Sequence, residues 1–445
     1  MKISDAKQNL CVIINFVKKQ ISINRYGYNG EGVGEIDGKI TFVPFSVQGE
    51  VCECEITKQD KNFQQAKLVE VVKKSDNRVD AKCPYFEKCG GCSIMHLCYS
   101  EQLKLKQNIV KNNLKKYANL LQPVSCCVKS PNEFNYRNKV VFAISKNAKL
   151  GFFMINSHDV IEIQTCCIVD DKINKFITLI NNALKQFQSE VYDWKTKQGI
   201  YKNIEIRYYN NEYLFTIVQA KNNNAFAKVL CEELEMCDIN FSVYVSVNAK
   251  PNSLIYGQLT QISKNKSTHS PFAFLQINNK VKNIIYEDIK KYTEGDVVVD
   301  AYAGRCELSS KLATNAKSVY AIEIEKQSCE DAEKLKNNNK ISNLFIKNGD
   351  CALILPNLCT NFQIDSIILD PPRKGVAEEV INQILRAKPK QIIYLSCNSA
   401  TLARDLKLLL NNNLYEINQI TPYDMFPQTA EVETLAILRK KDGKR

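Results

Sequence analysis

The chain has 445 residues, with 60 Lys plus Arg against 48 Asp plus Glu and a formal net charge of +12; that length predicts two or three domains with real cores, and that charge favours a polyanionic partner through phosphate neutralisation and counterion release. No run of 18 apolar residues is present, which excludes a membrane-spanning helix, and the opening MKISDAKQNL is too polar for a signal peptide despite the short apolar LCVIINFV at 10–17, so the expected location is the cytoplasm, with no membrane partner. In that reducing compartment the 18 cysteines argue for metal binding, catalysis or compositional drift over a disulfide framework.

In chain order, NRYGYNGEGVGEIDGKITFVPFSVQGEVCECEIT and KLVEVVKKS alternate apolar and polar residues between glycine turns. Short strands at such close spacing predict a small β-barrel within residues 1–75. The pattern resembles the TRAM domain, an RNA-binding barrel, and Tyr26, Tyr28, Phe42 and Phe63 are available for base stacking.

Residues 76–262 open with CPYFEKCGGCSIMH, which spaces Cys83, Cys89 and Cys92 as C-x5-C-x2-C, with Gly90 and Gly91 between them. Glycines there let the backbone fold tightly enough for several thiolates to converge. IEIQTCCIVD offers Cys166 as a fourth, with Cys167 beside it. Four thiolates suit a tetrahedral zinc or a 4Fe–4S cluster, and the spacing alone does not choose. Cys98, Cys126 and Cys127 read as structural. YSEQLKLKQNIVKNNLKKYANL predicts a lysine-rich amphipathic helix over 99–120 with Leu103, Ile109, Val110 and Leu114 toward one side; it is a candidate to pack on the catalytic domain. Strands such as YRNKVVFAIS, KLGFFMI, NIEIRYY and FSVYVSVN then predict a central α+β unit. YRNK sets Arg137 and Lys139 beside Tyr136, either facing a substrate or forming a solvated charged turn.

From 263 to 445, strands alternate with helices in the order of a doubly wound, Rossmann-like α/β sheet. DVVVDAYAGRCELSSKLA gives the first strand and turn, and SVYAIEIEK ends the second strand on Glu323. An acidic group roughly twenty residues on from the first strand takes ribose hydroxyls in nucleotide-binding sheets. NLFIKNGDCA places Asp350 after a third strand, DSIILDPPRKG ends on Asp370, and IIYLSCNSATLARDL presents Cys397 at the C-terminal end of another. Ligands and chemistry collect at that edge of an open α/β sheet, so a thiol and a carboxylate are expected to meet there. Backbone N–H groups at the start of the helix after Cys397 predict a lowered thiol pKa.

SCNSATLARDL, DPPRKG and DMFPQTAEVETLAIL (424–438) resemble the closing motifs of the RNA uracil-5 methyltransferase family, and the similarity runs from about residue 20 to residue 440. The resemblance implies S-adenosylmethionine as cofactor, Cys397 as the nucleophile that adds to carbon 6 of uracil, and Glu433 as the base that removes the carbon-5 proton. It implies Gln276 of HSPFAFLQIN, Tyr302, Glu307, Glu323, Asp350 and Asp370 at the cofactor, and a 4Fe–4S cluster on Cys83, Cys89, Cys92 and Cys166. The barrel together with the metal cysteines resembles the 23S ribosomal RNA branch, acting as a monomer on an RNA loop. Transfer RNA is the rival substrate, and a non-catalytic iron–sulfur RNA-binding or assembly factor is the rival class. A DNA cytosine-5 methyltransferase is disfavoured because Ser396, not proline, precedes Cys397. The first turn departs from the family pattern, with Cys306 where a second glycine is usual, and Gln428 and Glu431 stand where histidines are frequent.

Overall fold

The structure, a computed structural model, describes residues 18–247, 258–263, 271 and 275–441. The opening segment and half of HSPFAFLQIN lie outside the described residues, while Gln276 lies within them. The chain divides into two compact units, Met1–Asp80 and Ala81–Arg445.

In the first unit, strands Lys19–Ser22, Arg25–Tyr26, Gly32–Ile36, Lys39–Val43, Val51–Gln59 and Phe63–Lys73 form one six-stranded sheet. The two-residue period turns Ile21, Ile23, Val43, Cys52 and Cys54 into a shared core. Gly34 has no substitute there, because a Cβ would come within 2.2 Å of the Ser22 carbonyl oxygen. Tyr28 and Phe63 keep much of their rings in solvent.

The second unit holds two seven-stranded sheets. The first runs, in spatial order, Gln258–Gln261, Asn240–Val247, Glu212–Gln219, Tyr201–Tyr209, Lys139–Ile144, Leu150–Phe153, Val160–Glu162. Only Glu212–Gln219 and Asn240–Val247 pair in parallel, and the helix Ala225–Glu235 supplies the crossover that such a pair needs. Phe142, Phe215, Phe226 and Leu230 are among the residues that fill its core.

The second sheet contains β1 (Val297–Ala301), β2 (Ser318–Glu323), β3 (Leu344–Asn348), β4 (Ser366–Leu369), β5 (Gln391–Ser396), β6 (Tyr415–Tyr423) and β7 (Glu433–Lys440), in the order β3-β2-β1-β4-β5-β7-β6. Runs such as SIIL and QIIYLS are buried throughout, as parallel strands covered on both faces must be. The five parallel strands change direction of succession between β1 and β4, and that switch point opens a crevice at their C-terminal ends. β7 runs antiparallel between β5 and β6. Around the sheet lie α1 (Tyr99–Asn113), α2 (Asn279–Tyr292), α3 (Glu307–Leu312), α4 (Lys326–Asn338), α5 (Cys351–Asn361), α6 (Glu378–Ala387) and α7 (Ser399–Leu410).

α1 is shorter than expected, ending at Asn113 and continuing as one wide turn over Leu114–Ala118. Its inner face carries Leu105, Ile109 and Val110 but also Gln102, Lys106 and Asn113. These polar groups dock it on the second sheet's loops: Lys106 pairs with Asp424, and Asn113 donates to the Ser399 hydroxyl at 2.8 Å. No described helix is long and apolar enough to cross a membrane.

Candidate active site

β1 runs into the turn Asp300–Cys306, where Tyr302, Gly304 and Cys306 take φ of 65°, 54° and 59°. Cys306 thus keeps the left-handed backbone that glycine adopts freely, at a cost of about 1–2 kcal/mol for an L-residue, while its side chain is buried in the core. The departure from the usual glycine leaves the turn bent. Glu323, at the end of β2, clamps the turn by accepting from the Gly304 N–H at 2.8 Å and from the Glu325 N–H at 2.8 Å. Asp350 caps α5, accepting from the Ala352 N–H at 2.8 Å.

Glu307 belongs to a network that the sequence did not reveal. It accepts from Lys282 at 2.6 Å and from the Tyr209 hydroxyl at 2.9 Å, which ties the cofactor turn to α2 and to the first sheet. Burial pushes its carboxyl up, but Lys282 beside it outweighs that and holds it below the usual range. Tyr286, one turn along α2 from Lys282, titrates well above its ordinary value through burial and then the charges of Asp370, Glu307 and Asp300, so it faces the same crevice. The helical spacing of Lys282 and Tyr286 just before β1 was the available signal. Gln276 offers its backbone carbonyl to Asn138 at 3.2 Å, on the strand side of the first sheet.

The chemistry-bearing pair comes from strand register. Ser396 of β5 pairs with Thr434 of β7, so the next residue on one strand and the preceding one on the other, Cys397 and Glu433, are brought together. Asn398 follows as the cap of α7, accepting from the Ala400 and Thr401 N–H groups at 3.0 and 3.4 Å. Its amide also donates to the Arg373 carbonyl at 3.3 Å, joining the DPPR turn to the cysteine turn. Asp370 lies half-buried at the end of β4.

Burial, with Asp370 and Glu431 nearby and Arg373 opposing, pushes the Glu433 carboxyl up to about 8. Asp370 is raised to about 7 by burial and then by Asp300, and Asp300 to about 7 chiefly by burial. The Cys397 thiol is pushed up to about 11, by burial first and Glu433 second. This overturns the expected lowering. The N–H groups counted on at the start of α7 are already taken by the Asn398 side chain, and the thiol sits among carboxyls. Asp300, Asp370, Glu433 and Cys397 are therefore a row of acids that disfavour one another's charges, a setting that a cationic ligand relieves.

The two residues in place of histidines do different work. Glu431 is exposed and pairs with Arg373 at 3.4 Å. Gln428 is buried, accepts at its carbonyl from the Ser93 and Ile94 N–H groups at 3.1 and 3.2 Å, and exchanges amide hydrogen bonds with Gln102. It clamps the loop before β7 to both the cysteine segment and α1.

Cys83, Cys89, Cys92, Cys166 and Cys167 line one cavity of about 60 Å³ together with Arg137. Among the described residues, no three His, Cys, Asp or Glu side chains converge on a point that would hold a single metal ion. One water needs about 10–15 Å³, so the cavity has room for a group of several atoms, and thiols spread around such a space suit a cluster better than one tetrahedral ion. Arg137 is partly buried at this cavity, and Lys139 is largely buried against Glu205 at 3.1 Å.

Comparison with known proteins accords with this arrangement. Residues 357–441 match the family described as tRNA (Uracil-5-)-methyltransferase, and residues 18–69 match the TRAM domain. An uncharacterized RNA methyltransferase of Clostridium acetobutylicum is 34% identical over 448 residues, 95% of this chain and 97% of that protein. Another, of Listeria monocytogenes serotype 4b, is 33% identical over 452 residues, 96% and 98%. The fold is similar to that of Pyrococcus abyssi tRNA (uracil-54, C5)-methyltransferase, solved with S-adenosyl-L-homocysteine, at 24% identity and a TM-score of 0.76 over 94% of this chain and 100% of that one. With relatives matching nearly end to end, a C-terminal family match over the strands that carry Cys397 and Glu433, and a TRAM match over the first sheet, the chain belongs to the S-adenosylmethionine-dependent RNA uracil-5 methyltransferase family.

Proposed function

We propose that this enzyme methylates carbon 5 of a uridine in 23S ribosomal RNA through a covalent adduct between Cys397 and carbon 6. The observation that supports this best is the β5–β7 register, which sets the buried Glu433 carboxyl beside the Cys397 thiol at the sheet's C-terminal edge. Carbon 5 of uracil is a poor nucleophile until carbon 6 has been attacked. The Cys397 thiol gives up its proton to solvent as its sulfur adds to carbon 6; the ring's electrons move into an enolate, and carbon 5 then has the electron pair to attack. S-adenosylmethionine, when bound, supplies an electrophilic methyl group. Glu433 takes the proton from carbon 5; that electron pair restores the carbon 5–carbon 6 double bond and expels the Cys397 thiolate. Glu323 offers lone pairs to ribose hydroxyls while holding the turn, and Gln276, Tyr302, Glu307, Asp350 and Asp370 complete the cofactor's surroundings.

The target base has to leave its stack to reach this crevice, at a cost of a few kcal/mol that is least in a loop. The TRAM domain and the cysteine-lined cavity favour ribosomal RNA. Cys83, Cys89, Cys92 and Cys166 would hold a 4Fe–4S cluster, whose contribution is to cross-link distant segments, since the methyl transfer contains no redox step. The enzyme acts as a monomer in the cytoplasm. Transfer RNA is the second reading, favoured by the description of the family matched at 357–441.

Glu433→Gln tests the mechanism, because addition and methyl transfer proceed without the base while elimination does not. A methylated RNA covalently held by the protein should appear as a slow band in a denaturing gel and vanish in the Cys397→Ala, Glu433→Gln double variant. Normal turnover of Glu433→Gln, or inactivity with no adduct, removes Glu433 from this role. Mapping 5-methyluridine in ribosomal and transfer RNA with and without the gene decides the substrate.

A further inference from the structure

The chain contains one tryptophan, and it lies in neither the cofactor crevice nor the cysteine cavity. Trp194 sits where the first sheet ends at the strand Val160–Glu162, and with His158 and Tyr192 it lines a cavity of about 210 Å³. That is roughly ten or more times the space one water requires. The indole meets Phe153 and Tyr192 edge-on, with ring centres at 5.5 and 5.2 Å, and lies nearly parallel to the exposed His158 ring at 5.8 Å. Among the described residues its N–H finds no acceptor, and ring packing holds it in place.

The charged lining decides what kind of ligand fits. Lys146 pairs with Asp193 at 3.0 Å and Lys195 with Asp159 at 3.2 Å. Glu162, also in the lining, accepts from Asn147 at 2.7 Å. The two lysines are thus matched by carboxylates, and the lining does not favour a phosphate. What it offers is flat aromatic surface bordered by amide, hydroxyl, lysine and carboxylate groups, which is the chemistry that holds a neutral, polar-edged ring.

We infer that this cavity receives one unpaired nucleobase of the RNA substrate, stacked against the Trp194–His158 pair, at a place separate from the reacting uridine. The inference rests on RNA being the substrate but not on which RNA, nor on the roles given to Cys397 and Glu433. The enzyme would then read an unpaired base beside its target as well as the target itself.

Trp194 makes the test direct, since fluorescence excited at the red edge of the indole band, beyond tyrosine absorption, comes from the single tryptophan alone. Single-stranded oligouridylate and oligoadenylate should quench it in parallel with binding measured by filter retention, while the same strands in duplex, and S-adenosylmethionine alone, should not. Trp194→Ala should weaken single-strand affinity roughly 5- to 150-fold, the range of one base–aromatic stack, without changing the slope of affinity against salt. Trp194→Phe keeps a ring and should lose less. His158→Ala removes an exposed ring and should weaken single-strand binding; unchanged affinity in both His158→Ala and Trp194→Ala overturns the inference. RNA binding with no change in fluorescence, or equal quenching by S-adenosylmethionine alone, overturns the inference even if 5-methyluridine forms. Quenching by single strands without 5-methyluridine formation supports it and overturns the proposed reaction instead.

Discussion

Glu433 carries a carboxyl whose neutral form the fold prefers, and this makes both stability and rate depend on pH. Its folded value of about 8 lies above the ordinary glutamate value of 4.5. The protonated form therefore stabilises the fold fully below the ordinary value, and that contribution is lost as pH rises through about 8. Glu433→Gln has no proton to lose. In thermal melts of the cofactor-free protein, the variant should match the wild type near pH 5 and exceed it above pH 8 by at most a few kcal/mol; equal melting at both pH values would contradict the buried position. The same proton must be gone for Glu433 to act as a base, so kcat/KM, which reports the free enzyme, should rise with pH through about 8. A profile flat from pH 6 upward would exclude the assignment. Cys306 poses the opposite problem, a strained backbone under a well-buried thiol. Cys306→Gly should stay within about 1 kcal/mol of wild type in stability, as relief of the left-handed strain offsets lost burial. Cys306→Val should cost more, because a β-branched residue is a true outlier at that φ.

α1 is the element whose position depends most on polar groups. Lys106 and Asp424 are fully buried partners, and Asp424 also accepts from the Tyr99 hydroxyl at 2.7 Å. Removing one member of a buried pair costs about 3–5 kcal/mol because the other is left charged and unmatched. Lys106→Met should lower the denaturant midpoint accordingly, and adding Asp424→Asn should recover part of the loss; no recovery would show that packing of the lysine stem, not charge, holds α1. This pair also marks how far the sequence could be read. SVYAIE, SIIL and QIIYLS announced buried strands by composition, and their ends announced Glu323, Asp370 and Cys397 in turn, because local periodicity and sheet-edge position are properties of short segments. Lys106 read as solvent-facing, since the partner that changes its meaning lies 318 residues away. The Cys397 thiol was misjudged for the same kind of reason. A helix start favours a thiolate only while its N–H groups are free, and Asn398 occupies them. The Lys282–Glu307–Tyr209 network joins three elements at once, and no single segment records it.

Across the molecule, the cysteine segments 83–92 and 166–167 are far apart in sequence yet close around one cavity, so a bound cluster acts as a staple between them. Anaerobically purified protein should be brown with roughly four irons, as a Cys₄-held 4Fe–4S cluster requires. Cys89→Ser should lose the colour and melt earlier; stoichiometric zinc without visible absorbance would contradict the cluster. The cysteine segment also reaches the loop before β7, because the Ser93 and Ile94 N–H groups donate to the Gln428 backbone carbonyl.

The place of β7 has a bearing on how the molecule is made. Cys397 follows a parallel strand that can pair with its predecessor as soon as both have left the ribosome, but β6 has no place in the sheet until β7 slides between it and β5. Such long-range insertions are slow to form. If Cys397 and Glu433 act as proposed, a nascent chain paused before residue 433 owns a nucleophile and no means of releasing what it captures, so completion of the final strand is the step at which this polypeptide becomes a catalyst able to turn over.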